Sequence, residues 1–140
     1  MNFFFAKLFE EYEKKNDSPT VSIMYYMTVF YFFFFFSLFL PISEAINKVY
    51  FNNHLIYNKS VLIIGVFTVL ATIMFVVYTI YIKNGSIFRL KEKHVNRKFN
   101  RTVLNLLVVM FPILFMLLGA TITVIVKGGN ILNHHFNGLI

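Results

Sequence analysis

Three uninterrupted apolar runs constrain this chain more than any other feature. They are Val21–Leu40, Val61–Ile82 and Val103–Val126, of 20, 22 and 24 residues, and none contains Asp, Glu, Lys, Arg or His. About 20 such residues, rising 1.5 Å each in a helix, cross the roughly 30 Å hydrocarbon layer of a bilayer. Backbone N–H and C=O groups in that layer must be paired within the protein, so the runs are expected to be helices. Barrel strands are shorter and alternate in polarity. The expected fold class is therefore an all-α membrane protein with three transmembrane helices. The layout that follows is an amphipathic cytoplasmic segment (1–20), a first span (21–41), an outer loop (42–60), a second span (61–82), a basic cytoplasmic connector or helix (83–101), a third span (102–126) and an outer tail (127–140).

Basic residues orient the spans. Short cytoplasmic flanks carry an excess of Lys and Arg. Three spans put the N-terminal segment and the second loop on one side, where Lys7, Lys14 and Lys15 join Lys83, Arg89, Lys91, Lys93, Arg97, Lys98 and Arg101. The other side has only Lys48, Lys59 and Lys127. Ten against three predicts a cytoplasmic N-terminus and an outer C-terminus. The start of the chain does not read as a signal peptide, because Glu10, Glu11, Glu13 and Asp17 precede a full-length span.

Local signals add detail. Phe5, Leu8, Phe9 and Tyr12 fall at i, i+3, i+4 and i+7 and share a helical face. That segment either lies on the inner membrane surface or packs on the cytoplasmic loop, where its acids would neutralise basic charge. Pro41 is expected to end or kink the first span, and Glu44 and Lys48 are spaced to pair if a helical turn persists. Asn84-Gly85-Ser86 breaks the second span, leaving Ser86 placed to cap a new helix. No Gly or Pro follows until Pro112, so the third helix either extends to about Ile87 or is preceded by a separate helix joined at Asn100. Phe, Ile, Asn, Lys and Tyr are the residues an AT-rich coding sequence favours. That bias accounts for much of the run Tyr31–Phe36 and for the Asn-X-Ser/Thr triplets at Asn58, Asn84 and Asn100.

Within the spans, Gly65, Thr68, Thr72 and Thr79 share one face, and Asn105, Pro112 and Gly119 recur by sevens with Thr123 close by. Small and hydroxyl residues allow close helix packing. The same residues suit the wall of a water-filled path in an oligomer. Pro112 serves either as a static bend or as a gating hinge. No ionisable residue lies in a span, which argues against proton relays, ion-coupled carriers and voltage sensors.

Enzyme chemistry has little to rest on. Glu44 and Glu92 fall on opposite sides of the expected membrane and cannot act together. His54 and His94 are isolated, and His134-His135 are adjacent, which suits a solvated tail better than a metal site. The absence of Cys removes thiolate catalysis and disulfides. No cofactor is expected.

The segment from Lys83 to Arg101 holds seven of the thirteen basic residues and one acid, Glu92. Orientation and anionic lipid headgroups account for part of this charge. Phe88 and Phe99 lie among the cations, a mixture that holds phosphates and stacks bases. Repeated around an oligomer axis, Arg89, Lys91, Lys93, Arg97, Lys98 and Arg101 would form a collar for a nucleotide or short oligonucleotide. The plan of short chain, few spans and one basic cytoplasmic face resembles small membrane effectors of bacterial anti-phage systems, the families called CBASS and Hailong. That resemblance implies a ligand made by a partner enzyme and a bacterial inner membrane. Many such effectors carry a separate sensor domain, and this chain has no recognisable one. Two functions are expected: a homo-oligomeric pore or ion channel controlled by an anionic ligand at the collar, or a non-conducting anchor or assembly subunit.

Overall fold

The computed structural model describes residues 1–15, 18–51, 59–96, 99–131 and 134–138. Arg97, Lys98, His54 and Asn58 lie outside them. Each apolar run is a helix. The elements are α1 (Asn2–Lys15), α2 (Pro19–Phe51), α3 (Lys59–Val77) continued by a π-helical segment (Tyr78–Lys83), α4 (Ser86–His94), α5 (Arg101–Lys127), and a short antiparallel hairpin, β1 (Gly129–Ile131) with β2 (His134–Phe136). Three stretches are long and apolar enough to cross a membrane: Pro19–Tyr50, Ser60–Lys83 and Arg101–Lys127. His134 and His135 lie in β2, so the tail is not wholly irregular.

The central one of these three long helices is α2. Of its most apolar stretch 33% is buried, against 11% in each of the other two, so α3 and α5 are the outer members of the array. The principal seam runs between α2 and α5. Phe30 and Phe34 of α2 meet Phe115 of α5 at ring-centroid distances of 5.2 and 5.4 Å. Phe34 belongs to the Tyr31–Phe36 run, so codon bias is not its whole explanation. Edge-to-face geometry of this kind adds to simple burial, by about 1 kcal/mol per pair.

Two prolines sit inside these helices. Pro41 does not end α2, which continues for ten more residues to Phe51. A proline inside a helix removes one N–H and leaves the carbonyl four residues back without its donor. For Pro41 that carbonyl belongs to Ser37, where α5 crosses at Gly119. A Cβ built on Gly119 would stand 2.7 Å from the Ser37 Cα and 3.1 Å from its carbonyl oxygen, so only glycine fits the crossing. For Pro112 the freed carbonyl is that of Val108, and the Tyr26 hydroxyl of α2 donates to it at 3.2 Å.

The buried core sits at one end of the array, and α1 is part of it. Phe4, Phe5, Leu8 and Phe9 are buried with Ile23, Met27, Phe30, Val77, Ile87 and Leu104. Phe5 reaches the rings of Phe30, Tyr31 and Tyr81, and Phe4 reaches Tyr26 and Phe111. On the far side, Phe9 packs edge-on against Phe88 of α4. All residues of α1 from Phe4 to Phe9 are buried, so none of its faces is left free along that stretch. It is enclosed between the ends of the spans and α4, the second of the two placements its periodicity allowed.

The opposite end is loosely held. Glu44 pairs with Lys127 at 3.5 Å rather than with Lys48, and the Lys48 ammonium donates to the Lys127 carbonyl at 3.4 Å. Every residue of α3 from Ser60 to Thr72 is exposed except Val66 and Leu70, which are half-buried.

Candidate functional site

The basic segment folds as a turn, a helix and a second turn. Gly85 precedes α4 with φ +65°, a left-handed conformation that a side chain disfavours. Ser86 is therefore the first helical residue, and no side chain caps α4. After Val95 the helix stops. Asn100 is extended (φ −71°, ψ 123°), and its side-chain oxygen accepts from the Thr102 N–H at 2.9 Å to start α5. The extended third helix reaching Ile87 is thus not what forms. Asparagine can satisfy a helix N-terminus with its own side chain, so the break needs no Gly or Pro.

α1 divides the basic residues into two sets. Its acids face α4 and the start of α5. The Lys91 ammonium lies 2.7 Å from the Glu13 carboxylate, and the Arg101 guanidinium lies 3.1 Å from that of Glu11. Glu10 takes Lys7 at 2.8 Å, and Lys14 reaches Glu11 at 3.2 Å. Between α1 and α5 these groups line a cleft of about 360 Å³ carrying both signs of charge, with Lys7, Lys14 and Arg101 against Glu10 and Glu11. Burial pushes the Tyr12 phenol above its ordinary value, in keeping with the dry packing of α1.

Arg89 and Lys93 form the other set. They lie one turn apart on α4, both are exposed, and neither has an acid within ion-pairing distance among the described residues. They line a groove of about 350 Å³ whose remaining walls include Asn2, Ile80, Tyr81 and Leu90. No acid lines it. The six cations read from the sequence as one collar therefore separate. Lys91 and Arg101 are held by α1, Arg89 and Lys93 are open, and Arg97 and Lys98 lie outside the described residues.

The candidate pore or packing residues do not meet inside the chain. Gly65, Thr68, Thr72 and Asn105 are exposed, while Thr79 and Thr123 are half-buried. A Cβ on Gly65 would meet nothing within 4 Å. The threonine hydroxyls bond back to their own helices: Thr68 to the Ile64 carbonyl, Thr72 to that of Thr68, Thr79 to that of Phe75 and Thr123 to that of Gly119, at 2.7 to 2.8 Å. Pro112 is half-buried on α5, its freed carbonyl occupied by Tyr26. Among the described residues, no three His, Asp or Glu side chains gather as a metal-binding set.

Some of the site was not visible in the sequence. Asn2, Ile80 and Tyr81 carried no signal of their own. Charge complementarity between Glu10–Glu13 and the later cations was visible, but not which cations it would take. No protein-family model, no curated protein and no solved structure matches this chain.

Proposed function

We propose that the chain forms a homo-oligomeric pore or ion channel, controlled at a basic face by an anionic ligand. One observation carries this reading. The Gly65, Thr68 and Thr72 face lies outside the fold, on a half of α3 that is largely exposed. Three helices enclose no path by themselves. A polar stripe on their outside becomes a conduit only when copies associate and turn it inward. On this reading the α4 end faces the cytoplasm of a bacterium, in keeping with its excess of Lys and Arg. The ligand is a nucleotide or short oligonucleotide made by a partner enzyme.

Flux through liposomes carrying the purified oligomer tests it. Ion leakage that depends on Arg89 and Lys93 is expected. A verified oligomer that passes no ions, with or without oligonucleotide and at any salt concentration, overturns the proposal.

The back-bonded threonines favour a second reading. A hydroxyl already satisfied by its own helix tolerates lipid, so the stripe does not require a wet surface. The chain would then be a non-conducting anchor or assembly subunit, with its cations on anionic headgroups. Stoichiometric co-purification of a different membrane protein is the result that would select it.

A further inference from the structure

We infer that the groove between α4 and the π-helical segment is a phosphate site, with Arg89 and Lys93 as its cationic ligands. The inference deepens the ligand-controlled reading above and rests on it for the placement of α4 beside the membrane.

Charge separates this groove from its neighbour. The cleft beneath α1 has cations, but Glu10 and Glu11 share it, and Arg101 and Lys91 are already paired. An anion entering there would have to displace a carboxylate. The Arg89–Lys93 groove holds two open cations and, among the described residues, no acid. A helix places residues four apart on one face, about one turn from each other. A guanidinium and an ammonium at that spacing can share a single phosphate, the first through its fork of N–H donors and the second as a point charge.

The other walls set what accompanies the phosphate. Ile80, Tyr81 and Leu90 give an apolar side, and Asn2 offers an amide. Ile80 and Tyr81 belong to the last turns of the stretch Ser60–Lys83, which is apolar enough to cross a membrane. A groove with cations at a span's end and apolar residues on the span itself lies at headgroup depth. The chemistry recognised is thus a phosphate carrying an apolar or aromatic substituent. A lipid headgroup supplies it from the bilayer, and a small phosphate compound supplies it from solution.

Native mass spectrometry of the full chain in neutral detergent, titrated with phosphatidylglycerol, measures the site directly. The double variant Arg89→Gln/Lys93→Gln is expected to lose about tenfold in apparent affinity, two charge-assisted contacts being removed. Lys14→Gln/Lys15→Gln removes the same net charge elsewhere and is expected to change affinity by about twofold or less. Both residues altered in the groove are exposed, and an unchanged thermal transition confirms folding. A second arm adds pyrophosphate as competitor. Displacement of the lipid assigns a free phosphate compound, and lipid binding without displacement assigns the headgroup. Equal losses in the two double variants, or no loss in the groove variant, overturn the site. Liposome flux is scored separately, so a chain that binds but does not conduct refutes the pore and leaves this site standing.

Discussion

The Tyr26 hydroxyl donates to the carbonyl of Val108, 3.2 Å away, and that carbonyl lacks an intrahelical donor because Pro112 stands four residues later. The bond ties α2 to α5 where α5 is weakest. Tyr26→Phe is expected to lower stability by about 1 kcal/mol, the usual cost of an unmet buried hydrogen bond. Pro112→Ala restores the N–H and should make Tyr26→Phe nearly neutral. A double-mutant cycle on thermal unfolding in detergent measures this. Equal effects of Tyr26→Phe in both backgrounds would show that the two residues are not coupled.

Two glycines in the spans should behave in opposite ways. Gly119→Ala places a Cβ against the Ser37 backbone and forces α2 and α5 apart, at a cost of about 1–3 kcal/mol. Gly65→Ala meets open space within the chain. It should leave the monomer as stable as the parent or more stable by up to about 1 kcal/mol, and any loss should appear only in self-association. Unfolding together with oligomer mass in detergent distinguishes the two. A destabilised monomeric Gly65→Ala would contradict the placement of α3.

The ion pairs of α1 are modest individually. Their side chains are partly exposed, and such pairs contribute about 1 kcal/mol or less each. Glu11→Gln/Glu13→Gln should therefore leave the fold intact yet increase hydrogen exchange in residues 2–15 severalfold. The swap Glu13→Lys/Lys91→Glu should restore much of the protection. Unaltered exchange in the Gln variant would mean that apolar packing alone seats α1.

Phe5 makes the opposite case. It is fully buried among Phe30, Tyr31 and Tyr81. Phe5→Ala is expected to cost about 3–5 kcal/mol, and Phe5→Leu clearly less. Protease sensitivity of α1 reports the loss. A Phe5→Ala protein as resistant as the parent would place α1 outside the core.

The three long apolar helices were legible because a charge-free run of that length has few other fates. The fate of α1 was not, since Phe5, Leu8, Phe9 and Tyr12 make one apolar stripe whether it meets lipid or protein. The rings opposite it, Tyr26, Phe30 and Phe111, lie in spans whose composition is apolar on every side. The turn at Gly85 was legible from its residue type. The break at Asn100 is not decided by the sequence alone, because asparagine favours an N-cap but is also tolerated inside a long helix whose neighbours are strong helix formers. The Gly65, Thr68 and Thr72 spacing fixed a shared face but not its direction, since inward and outward stripes have the same period. Pro41 signals either a stop or a kink, and a helix held from outside by a crossing such as that of Gly119 continues despite one missing bond.

The position of α1 also governs the order in which the molecule can be completed. Phe4 and Phe9 are made before any span, yet Phe111 and Phe88, against which they pack, come many residues later. Contacts of such long sequence separation form late. During synthesis, Phe4 and Phe5 can meet Tyr26, Phe30 and Tyr31 of α2 early, but Phe9 must wait for Phe88 and Phe4 for Phe111. α5 thus completes a core whose other wall, α1, lies roughly ninety residues earlier in the chain.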